Sequence, residues 1–172
     1  EPLLKEILAY RYEKSIVTKS FSKSHAMTGF RIGWVVAEPL IIDKMSKLQA
    51  LSLTNVSEPI QYIALQALKS REAVGENSKI IRSRLEALIK IAKDMDLEFI
   101  EPNGAMYLFA KTKYKNFDAT EFSEKMLEHD VAIAPGEGFG DYKEFFRITA
   151  IDETKLIQGM KILDTMLKEK YG

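Results

Sequence analysis

The stretch from about Glu76 to Asp94 sets Ile81, Leu85, Leu88, Ala92 and, just beyond it, Met95 at spacings of 4, 3, 4 and 3, with charged residues filling the other positions. That period matches a helix turn and not the two-residue alternation of a strand, so the stretch commits to one amphipathic helix with a single apolar stripe. Such a helix needs a second layer to cover its stripe. The following residues supply one, because the pattern changes to a strand at Leu97 to Ile100, a turn at Pro102-Asn103-Gly104 and a strand at Ala105 to Ala110. A helix then opens at Asp118, with Glu121 three residues later as its capping-box partner. A strand at Val131 to Ala134, a glycine loop and a strand at Phe145 to Thr149 come next. The last helix carries Leu156, Met160, Leu163 and Leu167 on one stripe. This half reads as an α+β unit, a small sheet covered by helices.

The first half has a different character. Ser15-Ile16-Val17-Thr18 is short and β-branched and reads as a buried strand whose end delivers Lys19-Ser20-Phe21-Ser22-Lys23. A second strand is expected at Arg31 to Ala37, stopping at Glu38-Pro39. Ile41, Met45 and Leu48 then recur at helical spacing. Ser57 reads as the cap of another helix with Pro59 in its first turn and Ile60, Ile63, Ala64, Ala67 and Leu68 on one face. Two short helices on one layer, beside the tail of a sheet whose other strands are absent, place a boundary near Arg71. The expected domains are 1–70 and 71–172. A start at Glu1-Pro2-Leu3-Leu4, with no initiator Met, suggests a piece of a longer chain.

Composition removes several classes of function. At 172 residues and 46% hydrophobic the chain can bury one good core or two small ones. Lys plus Arg and Asp plus Glu both total 25, so no field of one sign attracts nucleic acid or an anionic membrane, and neither partner is expected. With no Cys, and with His25 and His129 the only histidines, thiolate catalysis, disulfides and a metal cluster are not expected, and the chain suits a reducing cytoplasm. No stretch approaches the roughly 18 to 20 apolar residues of a membrane span, and the start does not read as a secretory signal.

The chemistry concentrates in Ser20-Phe21-Ser22-Lys23-Ser24-His25-Ala26-Met27-Thr28-Gly29-Phe30-Arg31-Ile32-Gly33-Trp34. A Lys after an apolar strand, between hydroxyls and followed by an Arg among glycines, is where a buried amine and an anion-binding guanidinium can meet. A desolvated ammonium near a second cation loses its proton more readily and can form an imine with a carbonyl. Hydroxyls and a fork-shaped guanidinium suit a phosphate. Taken alone, a Lys and an Arg at strand ends are far more often two solvated charges.

The whole string carries more information than the pair. It resembles the cofactor-lysine signature of the class I/II aminotransferases, fold type I enzymes that use pyridoxal 5′-phosphate, with Ser20-Phe21-Ser22-Lys23 at its start, Ala26-Met27-Thr28-Gly29-Phe30 at its turn and Arg31-Ile32-Gly33-Trp34 at its end. Glu101-Pro102-Asn103-Gly104-Ala105-Met106-Tyr107 resembles the family's Pro-x-Gly hairpin. Val131 to Gly140 resembles its Pro-Gly-x-x-Phe-Gly loop, and Phe146-Arg147-Ile148-Thr149 its late arginine strand.

The resemblance implies an α/β chain of fold type I, comprising the end of the large-domain sheet and a small α+β C-terminal domain. It implies that Lys23 forms a Schiff base with the cofactor and then shuttles the proton at the substrate Cα. Ser20 and Arg31 hold the phosphate, with Ser22 beside them, and Arg147 pairs bidentately with the substrate α-carboxylate. The implied reaction moves an amino group between an amino acid, aspartate or aromatic by default, and a 2-oxo acid, in a homodimer. A lyase or decarboxylase of the same fold stays open, as does the aminotransferase-like sensor domain of a transcription regulator. The family's Asp for the pyridine nitrogen, its glycine-rich phosphate loop and its aromatic platform belong upstream. In that register Leu3 takes the place of a Tyr, so either another group meets the phenolic oxygen or the register differs.

Two features are set aside. Gly136-Glu137-Gly138-Phe139-Gly140 evokes a dinucleotide loop, but the residues after it lead into a strand, not a helix whose N-terminus receives a pyrophosphate. His25 beside the lysine is given no fixed role, because Lys23 already supplies the proton transfer.

Overall fold

The β-branched run before the lysine does form a strand, shifted two residues along. Strand β1 is Val17–Ser20, and it pairs antiparallel with β2, Gly33–Val36, in a register running from Val17↔Val36 to Ser20↔Gly33. The computed structural model describes Tyr12 and residues 14–172, so the expectations placed on Glu1, Pro2 and Leu3 lie outside the described residues. The chain divides into two units, the first ending at Ser78 and the second running from Lys79 to Gly172.

In the first unit, β2 starts later than expected because Arg31 adopts a left-handed conformation, φ 50° and ψ 49°, which no strand continues through. Between the strands lie the single-turn helix α1, Phe21–Ser24, and a 3-10 turn at Thr28–Phe30. Helices α2, Pro39–Leu53, and α3, Glu58–Lys69, follow, each with a proline in its first turn. Ser57 stands at the N-cap of α3 without making a side-chain capping bond. Pro59 occupies the second helical position and has no N–H to offer it.

Phe21, Met27 and Ala64 form a small core with Ile32 and Ala67 against them. The stripe expected on α2 does not join it: among the described residues α2 buries none, and Leu48 is 65% exposed. The expected short helices are also longer than foreseen, 15 residues in α2 and 12 in α3.

The second unit is built on a four-stranded antiparallel sheet, β3 Glu98–Phe99, β4 Tyr107–Lys111, β5 Ala134–Pro135 and β6 Phe145–Thr149, in the order β3-β4-β6-β5. Helix α4 runs over Arg71–Asp94, α5 over Ala119–Leu127 and α6 over Glu153–Tyr171. Helix α4 begins at Arg71 and not near Glu76, since Gly75 is the sole weak helix former there and one glycine only weakens a helix by about 1 kcal/mol. Leu85, Leu88 and Ala92 of α4, Phe122 and Met126 of α5, and Leu156, Met160, Leu163 and Leu167 of α6 are buried with Leu108, Ala110, Phe146 and Ile148 of the sheet in one core.

Strand β5 is confined to two residues. The chain leaving α5 first closes the helix end: Asp130 is left-handed at φ 59° and the Val131 N–H donates to the Met126 carbonyl at 3.1 Å. The amide expected to start the strand is therefore spent on a helix C-cap. Ala105, at φ 64°, delays β4 in the same way.

The start of α5 corrects the capping-box expectation in part. The Asp118 Oδ1 accepts from the backbone N–H of Thr120 at 2.9 Å and of Glu121 at 3.0 Å, as an N-cap should. Glu121 does not reach back. Its Oε1 accepts from Lys170 of α6 at 2.9 Å and pairs with Lys125 at 3.1 Å, and the Lys170 hydrogen bond, then that of Lys125, holds the carboxyl below its usual range.

Two predictions follow from these contacts. Asp118→Ala should lower stability by about 1 kcal/mol, seen as a drop in the urea midpoint, and Asp118→Asn by only a few tenths, because it keeps the acceptor. The Glu121 contribution is complete above the ordinary carboxylate pKa and disappears as pH falls through the lowered folded value. The stability difference between the parent and Glu121→Gln should thus shrink between about pH 6 and about pH 3; a difference that stays constant across that range would contradict the pairing.

Candidate functional site

The lysine end of the first unit is shaped by the last pair of the β1–β2 ribbon. Ser20 faces Gly33, and a Cβ added at Gly33 would lie 2.5 Å from the Lys19 carbonyl oxygen, so this close approach requires glycine. Ser20 leaves the strand with extended backbone and becomes the N-cap of α1, its Oγ accepting from the Ser22 N–H at 3.0 Å. Its own hydroxyl proton remains available for a ligand. Arg31 stands two residues before Gly33, so the register brings it to the same end of the ribbon as Ser20.

Further bonds tie this end together. The Phe21 N–H donates to the Ile32 carbonyl at 3.2 Å, and the buried Phe21 ring anchors the turn that carries Lys23. The Arg31 Nη1 donates to the Thr28 carbonyl at 2.8 Å, which holds the base of the guanidinium and leaves its other N–H groups for an anion. Among the described residues, Lys23 Nζ has neither a hydrogen bond nor an ion pair.

The expectation of a buried amine at a strand end is not met. Lys23 is exposed, it is the third residue of a one-turn helix, and most of β1 is itself exposed because β2 is its one paired strand among the described residues. His25 packs its ring against Phe21, with centroids 4.8 Å apart, and its Nδ1 meets the Ser24 Oγ at 2.8 Å.

Arg147 belongs to the second unit and is fixed by strand alternation. Phe146 and Ile148 enter the core, so Arg147 points to the opposite face, between Phe109 of β4 and Ala134 of β5 in the sheet register. Its guanidinium carbon lies 4.3 Å from the centroid of the Tyr107 ring and 4.8 Å from that of Phe139. Its Nε is buried and has no hydrogen-bond partner among the described residues. A buried donor left unmet typically costs about 1–3 kcal/mol, more when charged, so this arrangement suits an incoming anion.

The glycine loop is a 3-10 turn at Gly136–Phe139 leading on to β6, in agreement with its rejection as a dinucleotide site. Sequence reasoning gave no role to Tyr107 or Phe139. Tyr107 could have been found, since strand alternation sets it on the face of Arg147, opposite Leu108 and Ala110. Phe139 lies in an irregular turn, where no period reveals a side chain's direction.

A family profile described as aminotransferase class I and II matches residues 6–163. The chain is 39% identical over 165 residues to an aspartate aminotransferase of Pyrococcus abyssi, covering 92% of this chain and 42% of that one. To the aromatic-amino-acid aminotransferase 2 of Thermococcus litoralis it is 35% identical over 165 residues, covering 92% and 42%. The crystal structure of an aromatic aminotransferase from Pyrococcus horikoshii superimposes with a TM-score of 0.83 at 36% identity, covering 92% of this chain and 44% of that one. The chain therefore belongs to the class I and II aminotransferases and has their fold type I, α/β architecture in part. It spans about two fifths of the length of the curated relatives it matches.

Proposed function

We propose that this chain carries the lysine and the carboxylate-binding arginine of a pyridoxal-phosphate aminotransferase that moves an amino group between an amino acid and a 2-oxo acid. The observation that carries the reading is the Arg147 guanidinium, buried at Nε with no partner of its own and held against two rings on a sheet face. Such a fork offers parallel N–H donors to a carboxylate, a group that every amino acid and every 2-oxo acid presents.

The residues at the lysine end fit the cofactor that members of this family use. Pyridoxal 5′-phosphate bears an aldehyde and a phosphate; Lys23 offers an unengaged amine, Ser20 a spare hydroxyl proton and Arg31 free guanidinium N–H groups, with Ser22 adjacent. When bound, the cofactor supplies the electron sink that makes amino-group transfer possible. The chain's own part is to bind, orient and move protons. Ser20 and Arg31 anchor the phosphate, Arg147 fixes the substrate by its α-carboxylate, and the Lys23 amine takes and returns the proton at Cα. The rings beside Arg147 keep water from its flanks and so strengthen its pairing.

The same reading gives residues 1–70 to the end of the large cofactor domain and 71–172 to the small domain. It expects a homodimer in the cytoplasm, with aspartate or an aromatic amino acid as donor. An amino-donor screen of the full-length protein with 2-oxoglutarate, read as glutamate formed, tests the reaction.

Borohydride treatment of the cofactor-bound full-length protein, followed by peptide mapping, should attach the pyridoxyl group to Lys23; label on Lys19 or elsewhere would sink the assignment. Arg147→Lys should lose about 2–5 kcal/mol of transition-state binding, roughly thirty- to several-thousand-fold in kcat/KM, toward every amino donor alike. Cofactor absorbance should stay intact, and the slow turnover of an amine without an α-carboxylate should hardly change. Normal activity with amino acids, or loss of the cofactor, would move Arg147 out of the substrate site.

A further inference from the structure

We infer that Phe139 is a positioning residue for substrate binding: its ring, together with that of Tyr107, holds the Arg147 guanidinium in the orientation that receives a carboxylate. This deepens the reading of Arg147 as the α-carboxylate ligand and rests on it. A guanidinium on a strand usually takes its orientation from hydrogen bonds to a carbonyl or carboxylate. Among the described residues no such bond reaches the Arg147 side chain, and its buried Nε is unpartnered. What remains to fix it is ring contact, at 4.3 Å from Tyr107 and 4.8 Å from Phe139.

The two rings are held differently. Tyr107 is part of β4 and is set by its register opposite Thr149. Phe139 ends the 3-10 turn, and several contacts put it there. Gly136 is buried where a Cβ would run into the carbonyl oxygens of Tyr142 and Phe145. Glu137 Oε2 accepts from Thr120 Oγ1 at 2.9 Å, tying the turn to the start of α5. Gly140, at φ 138°, lets the chain leave the turn, and Phe139 meets Phe109 edge-on with centroids 5.8 Å apart. Phe139 is nonetheless 47% exposed and absent from the core. A residue so placed contributes little to folding, while one of its few defined neighbours is the cation.

The test uses the full-length, cofactor-bound protein and four variants: Phe139→Leu, Phe139→Tyr, Arg147→Lys and the double variant Phe139→Leu with Arg147→Lys. Phe139→Leu removes the ring face at similar volume and should lower kcat/KM for amino donors by roughly 2- to 30-fold, mostly through KM. Inhibition by propionate, which has a carboxylate and no amine, should weaken by the same factor. Turnover of an amine without a carboxylate should not change, and neither should the urea midpoint. Phe139→Tyr keeps the ring and should restore amino-acid activity, and in the double variant the leucine should add no loss to that of Arg147→Lys.

A strong effect of Arg147→Lys beside a silent Phe139→Leu would overturn the positioning role alone. So would a Phe139→Leu loss that adds in full to the Arg147→Lys loss, or one shared by the amine. If Arg147→Lys itself keeps normal activity, the carboxylate reading falls, and this inference falls with it.

Discussion

The antiparallel pairing of β4 with β6 is the constraint from which the second unit takes its form. Five residue pairs, from Tyr107↔Thr149 to Lys111↔Phe145, lock two alternating strands together. On one face Leu108, Ala110, Phe146 and Ile148 enter a core completed by α4, α5 and α6. On the other, Tyr107, Phe109, Phe145 and Arg147 stand together. A slip of one residue would exchange the faces, driving a guanidinium into the core and exposing Phe146, which is fully buried. Burying an unpaired charge costs several kcal/mol, so the register that builds the core and the register that presents the arginine are the same one.

The lysine end rests on less. Its ribbon has four residue pairs, and its core is Phe21, Met27 and Ala64. The local geometry is nevertheless well determined, because each bond there constrains the next. Gly33 lets the ribbon close on the Lys19 carbonyl, Ser20 caps the turn, Phe21 pins it from below, and the left-handed Arg31 returns the chain to the strand. The segment between Ser20 and Gly33 is too short for a regular element and too constrained for a free loop. That explains why its residue choices looked unusual in a sequence of otherwise ordinary composition.

Elements whose residues obey one period over many turns were legible in the sequence. The stripes of α4 and α6 are buried as read, and β6 has the bounds that Phe145 to Thr149 suggested. Misreadings cluster where a tertiary or terminal contact outweighs local pattern. Val131 looks like a strand residue but closes a helix; Glu121 looks like a capping partner but answers Lys170; Ser57 looks like a cap but faces a proline. The apolar positions of α2 satisfied helical spacing, yet a period says which residues share a face and not whether that face is covered. The lysine, the phosphate-side residues and the arginine could be named because the resemblance covers contiguous residue strings. Lys23's exposure and the rings around Arg147 could not, since both depend on chain segments distant in sequence.

The way Arg147 is held bears on what it can bind. An aspartate at its side would fix the guanidinium firmly, but the pair would already be neutral, and its N–H donors would be occupied by the oxygens a ligand must replace. A carboxylate ligand would then have to displace an internal one of equal chemistry, with little net gain. Aromatic rings attract the cation through the negative faces of their π-systems and accept none of its in-plane N–H groups. Tyr107 and Phe139 can therefore orient the charge without satisfying it, so its donors stay open in the folded chain and Nε is left unmet. An unmet donor lowers the stability of the empty site, and the same amount reappears as affinity for the carboxylate that meets it.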